Sequence, residues 1–106
     1  MLSIFKGIFS NDDSALKEVL SKNNPQLIDV RTPLEFNGGT VKSAKNIPLS
    51  ELESKLSLLD KSRAIVVFCQ SGNRSGQAMC ILHSKGFEKV HNGGGWRTLR
   101  SIVESI

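Results

Sequence analysis

Residues 64–79 read AIVVFCQSGNRSGQAM. Ala64 to Phe68 are apolar and largely β-branched, a run that suits a strand buried on both faces of a parallel sheet. Cys69 follows at once. A polar stretch containing Gly72 then leads through Arg74 towards Ala78, Ile81 and Leu82, which recur at helical spacing. A strand that ends in a thiol and turns through glycine into a helix is half of a βαβ unit, so a parallel sheet is expected.

The same alternation runs outward in both directions. Leu16, Val19 and Leu20 predict a helix, with Asn11, Asp12 and Asp13 as candidate caps. Asn23, Asn24 and Pro25 break it, and QLIDV (26–30) reads as a short buried strand. AKNIP (44–48) holds another, stopped at Pro48. Ser50 to Glu53 reads as an S-x-x-E capping box opening a helix on Leu52, Leu56 and Leu59. Beyond Leu82, Gly86 is the expected C-cap with Phe87 as its hydrophobic contact. EKVHN (88–92) is a strand candidate, and Trp96, Leu99, Val103 and Ile106 mark a terminal helix. Nothing repeats and no linker interrupts the pattern. The expectation is an α/β fold, a parallel sheet flanked by helices on both faces, with residues 1–106 as a single domain.

Composition narrows the function classes. The chain has 106 residues, 39% hydrophobic and 23% charged, with a net charge of +4. That balance favours anionic ligands. The basic residues are scattered from Lys6 to Arg100 and aromatics are few, so no nucleic-acid stripe is expected. The two cysteines, Cys69 and Cys80, form no C-x-x-C pair and have no histidine at zinc-ligand spacing. No metal and no cofactor are expected. Free thiols suit a reducing compartment, which makes the cytoplasm the expected location. The N-terminal MLSIFKGIF is far short of the roughly 20 residues a membrane span needs, and it is a poor signal peptide. It is expected to pack on the domain as a strand or turn, with an interfacial anchor or a dimer contact as the alternative.

The chemistry concentrates at Cys69. In a parallel sheet, ligands bind beyond the carboxyl ends of the strands, and Cys69 directly follows the clearest one. Asp29 and Arg31, at the end of QLIDV, belong to the same edge. A loop entering a helix N-terminus points backbone N–H groups at one spot and binds anions there. A thiol at its mouth is pushed towards thiolate. Gly72 permits the unusual φ of a tight cradle, and Arg74 can hold an anion through two parallel hydrogen bonds. Gln70, Ser71, Gly72, Asn73 and Arg74 are therefore the candidate substrate-binding residues, and Cys69 the candidate nucleophile. The alternative for Cys69 is a buried structural thiol. Cys80, mid-helix among apolar residues, is expected to be core packing. Asp29, Arg31 and Glu35 read as a charged network supporting the loop. Ser75 is either a hydrogen-bond donor to the anion or the helix N-cap. His83 is expected on a solvent face and His91 at a strand end, neither with support as a general base. Trp96 is expected in the core.

Four segments in order resemble the rhodanese (sulfurtransferase) family: LIDVRTPLEF, SAKNIPLSEL, VVFCQSGNRS and HNGGGW. The resemblance runs from about Leu27 to Leu99. It implies a parallel sheet flanked by helices and a cysteine, here Cys69, that takes a sulfane sulfur, becomes a persulfide and passes the sulfur on. It implies a small anionic donor such as thiosulfate and a thiol or cyanide acceptor, with a thioredoxin or a sulfur-relay protein among its partners. Two departures stand out. Gly39-Thr40-Val41 replaces the family's glycine-histidine-isoleucine, and Trp96 directly follows Gly95 where the family leaves a spacer. The alternatives are a persulfide carrier serving a partner enzyme, a thiol phosphatase or arsenate-reductase-like enzyme, and a non-catalytic binding module. Four residues separate Cys69 from Arg74, one fewer than thiol phosphatases use.

Overall fold

The computed structural model describes residues 13–22 and 24–106. The expectations for MLSIFKGIF, and for Asn11 and Asp12 as caps, lie outside them. Strand β3, Ile65–Cys69, has all five residues buried. It lies inside a sheet of four parallel strands ordered β2-β1-β3-β4, where β1 is Gln26–Asp29, β2 is Lys45–Asn46 and β4 is Val90–Gly95. The expected parallel sheet is present.

Side chains alternate across the strands, so each face collects its own core. Ile28, Ile65, Val67 and Cys69 pack with Leu52 and Leu59 and with Ala78 and Leu82. Ala64, Val66 and Phe68 pack on the opposite face with Val19, Trp96 and Leu99. The first face is covered by helix α3, Asn73–Ser84, and by the segment Leu49–Leu58; the second by α1, Asp13–Lys22, and α4, Trp96–Glu104. Helices therefore flank both faces, as the sequence predicts.

Three local expectations are corrected. Leu49–Leu58 is a 3₁₀ helix rather than a boxed α-helix, kinked at Lys55, and no side chain caps its start at Pro48. Its entry is set by the sheet instead, because the Leu49 amide donates to the Val30 carbonyl at 3.0 Å. Residues 33–37, within the LIDVRTPLEF stretch for which no helix is expected, form the short helix α2, Pro33–Asn37, with Thr32 and Glu35 as its capping box and Pro33 in its first turn. Cys80 is exposed, not core. Helix α3 turns Ser75, Ala78 and Leu82 inward; at 100° per residue, Cys80 falls on the far side from its neighbours Ala78 and Leu82.

α3 stops at the expected glycine, though Lys85 is its C-cap and Gly86 stands one residue beyond. Gly86 has φ +89°, its amide reaches the His83 carbonyl, and the Phe87 amide reaches that of Leu82 at 3.0 Å. Phe87 is buried against Leu82 in the core.

Candidate active site

β3 delivers Cys69 to the carboxyl edge of the sheet, where its side chain is 1% exposed. Gly72 caps α3 in the left-handed region, with φ +98°. That conformation turns its amide back onto the Cys69 Sγ at 3.0 Å. One helical step on, the Ser75 amide points at the same sulfur from 3.4 Å, and the Ser75 hydroxyl lies 3.4 Å away. Burial pushes the thiol up. The Ser75 hydroxyl and the amides of Ser75, Ser71 and Gly72 pull it down and prevail, so the thiol ionises below its ordinary value. The side chains of Gln70, Ser71 and Asn73 face solvent around this cradle. Ser75 is not the N-cap, since Gly72 fills that position; it lies buried in the first turn.

Arg74 also belongs to the first turn of α3, and its guanidinium is engaged. It forks onto both carboxylate oxygens of Glu35, at 2.8 and 3.0 Å. The Arg74 fork, then the Thr32 amide, holds the Glu35 carboxyl down at about 2. Hydrogen bonding to Glu35 likewise raises Arg74 further. The charged network expected of Asp29, Arg31 and Glu35 divides into separate pairs. Arg31 is buried and meets Asp29 through Nε and Nη2, the latter at 2.7 Å, with another bond to the Gly39 carbonyl. Thr40 completes the Asp29 shell, its hydroxyl donating at 2.7 Å. A buried carboxylate needs every donor it can get, and the threonine in place of the family's histidine still supplies one.

The run of glycines in β4 shapes the rim. Pairing with β3 slips between Val67 and Phe68: Val67 faces Asn92, and Phe68 faces Gly94, leaving Gly93 as the bulged residue. A Cβ on Gly93 would lie 2.8 Å from a Val66 methyl. One on Gly95 would lie 2.8 Å from the Gln70 carbonyl, inside the cysteine loop. The strand thus runs through all three glycines and brings Gly95 beside Cys69, which explains why Trp96 follows without a spacer. Trp96 is buried as expected, with Arg31, Arg97 and Arg100 each within 4.8 Å of its ring centroid.

His83 is exposed, and His91 is half-buried with its pKa lowered by burial. Among the described residues no cluster of His, Cys, Asp and Glu could hold a metal ion. Two residues absent from the sequence-based candidates belong here, Thr40 and Asn92. Asn92 accepts the Ser75 hydroxyl at 2.7 Å and donates to the Gly72 carbonyl at 3.2 Å. The only signal for it was its place just before the glycines.

The rhodanese-like domain profile matches residues 12–99. The chain belongs to the rhodanese-like family. This rhodanese-like chain is 38% identical over 74 residues to the thiosulfate sulfurtransferase PspE of Escherichia coli, covering 68% of this chain and 71% of that protein. It is 40% identical over 73 residues to the YqhL protein of Bacillus subtilis, covering 68% of this chain but only 58% of the relative. The human single-domain sulfurtransferase TSTD1 superposes with a TM-score of 0.67 at 32% identity, covering 79% of this chain and 88% of that one. The family likeness thus agrees with the cradle geometry.

Proposed function

We propose that this rhodanese-like chain, as a single domain, is a sulfurtransferase working through a persulfide on Cys69. The observation that carries the reading is the set of groups converging on Sγ: the Gly72 amide donates at 3.0 Å and the Ser75 amide at 3.4 Å, with the Ser75 hydroxyl 3.4 Å away. They stabilise a buried thiolate with no general base. The thiolate attacks the outer sulfur of thiosulfate. A sulfur–sulfur bond forms to Sγ, the original one breaks, and sulfite leaves with its electron pair. An acceptor thiolate or cyanide then attacks the outer sulfur, and Sγ leaves as thiolate again. Gln70, Ser71, Gly72, Asn73 and Arg74 line the donor's approach. Asp29, Arg31, Glu35 and Ser75 are supporting residues, Glu35 through its pair with Arg74 and Ser75 at Sγ, with Asp29 and Arg31 paired on the same sheet edge.

The small cradle suits one terminal sulfur better than a phosphoryl group, whose three oxygens need more donors. The two free thiols support a reducing compartment such as the cytoplasm. Intact mass spectrometry after thiosulfate tests the proposal. One added sulfur is expected, mapping to Cys69, absent in Cys69→Ser and retained in Cys80→Ser. An added sulfur mapping to Cys80 would defeat it.

A further inference from the structure

Asn92 stands on β4, not on the strand that carries the thiol, yet its side chain holds Gly72 and Ser75, two of the residues that donate to Sγ. Its Nδ2 donates to the Gly72 carbonyl at 3.2 Å. Its Oδ1 accepts the Ser75 hydroxyl at 2.7 Å and the Gly94 amide at 2.9 Å. The bulge at Gly93 sets this reach, since the register slips immediately after Asn92. We propose that Asn92 is a positioning residue for the Cys69 nucleophile, aiming the Gly72 amide and governing the Ser75 hydroxyl from the neighbouring strand.

The hydroxyl is the informative part, because it has a single hydrogen. While that hydrogen is given to Asn92, Oγ faces Sγ as an acceptor, which suits a protonated thiol. When Sγ carries charge, either as thiolate or as the group leaving a persulfide, the hydroxyl turns from Oδ1 to Sγ. Oδ1 keeps the Gly94 amide, so it is not left without a donor. No proton changes atom and no covalent bond is altered by the turn. Asn92 is then the resting acceptor that keeps this donor within one rotation of the sulfur. The ion pairs on this edge, Arg74 with Glu35 and Arg31 with Asp29, are closed and do not involve Asn92.

The inference rests on Cys69 being the nucleophile of the proposed transferase, and its test needs no sulfur donor. The rate of iodoacetamide alkylation of Cys69 is followed against pH in a Cys80→Ser background, with the modified peptide mapped by mass. Asn92→Ala releases the Gly72 carbonyl and leaves the Ser75 hydroxyl free to rotate away from Sγ, so this loss of aim is expected to raise the thiol pKa by about half to one unit, the equivalent of one hydrogen bond. Asn92→Asp is expected to raise it further, since a carboxylate grips the hydroxyl and sets a like charge beside the thiolate. Ser75→Ala should also raise it, and Asn92→Ala should add less on that background than alone. Asn92 is exposed, and circular dichroism checks that each variant is folded; the near-isosteric Asn92→Asp serves should the alanine variant unfold. An unmoved thiol pKa in folded Asn92 variants, or full additivity with Ser75→Ala, would overturn the proposal. A parent protein that alkylates normally at Cys69 but takes no sulfur from thiosulfate would instead defeat the transferase reading alone.

Discussion

Glu35 answers to two parts of the molecule at once. Its Oε1 accepts from the Thr32 amide, closing the box of α2, and from Arg74 Nη1 across the loop. Because the Arg74 fork lowers its native pKa to about 2, below the unfolded value, any stability from the pair is present above that unfolded value. It is lost only as pH falls through about 2. The Arg74 fork should therefore be closed throughout neutral assays. An incoming sulfonate must compete with Glu35 for the same guanidinium. Loss of a charge-assisted contact costs about 1.5–3 kcal/mol, so Arg74→Ala should lower kcat/KM for thiosulfate by roughly 10- to 150-fold. Glu35→Gln removes only a part-exposed ion pair and should cost no more than about fivefold. Steady-state kinetics on both variants decides between the roles. Equal losses would make the pair itself, not an anion contact, the function of Arg74.

Among the elements, those set by hydrophobic period were readable and those set by tertiary ties were not. β3, α3 and α4 follow from their apolar spacing, and the Gly86 stop follows from its φ. The capping box shows the contrast. Ser50 to Glu53 has the pattern without the box, since the Leu49 tie to Val30 fixes that entry. Thr32 to Glu35 has both pattern and box, beside a proline that marks the first turn. The glycines of β4 were legible as a motif, but the bulge that makes them necessary depends on Val66 and Gln70, far away in sequence. Their tolerance should differ. Gly95→Ala must displace the Gln70 carbonyl, so it should disturb the cradle and abolish most transfer. Gly94 has φ +79° with nothing within 4 Å of an added Cβ, so Gly94→Ala should cost about 1–2 kcal/mol of stability with activity largely kept. Urea unfolding and thiosulfate turnover, measured on both, separate the effects.

At the scale of the molecule, the two cores meet at a sheet edge where charge has been taken indoors. Arg31 is 2% exposed and Asp29 fully buried, and the Trp96 ring lies against the guanidinium. The sequence placed both residues at this edge, yet the split into two ion pairs was hidden. Glu35 finds its partner at Arg74, 39 residues on, which no local pattern encodes. Removing one partner of a buried pair strands the other's charge. Arg31→Met should therefore destabilise by about 3–5 kcal/mol, read as a fall in the urea midpoint. Thr40→Val leaves the carboxylate short of one donor and should cost about 1–3 kcal/mol.

The outward turn of Cys80 has a practical side. One helix carries an open thiol, while the strand before it carries a closed one, 1% exposed. A bulky maleimide dye meets the first readily and is kept from the second by its size. A fluorophore fixed at Cys80 would ride on the helix whose first turn cradles the reacting sulfur, marking the protein while leaving its nucleophile free.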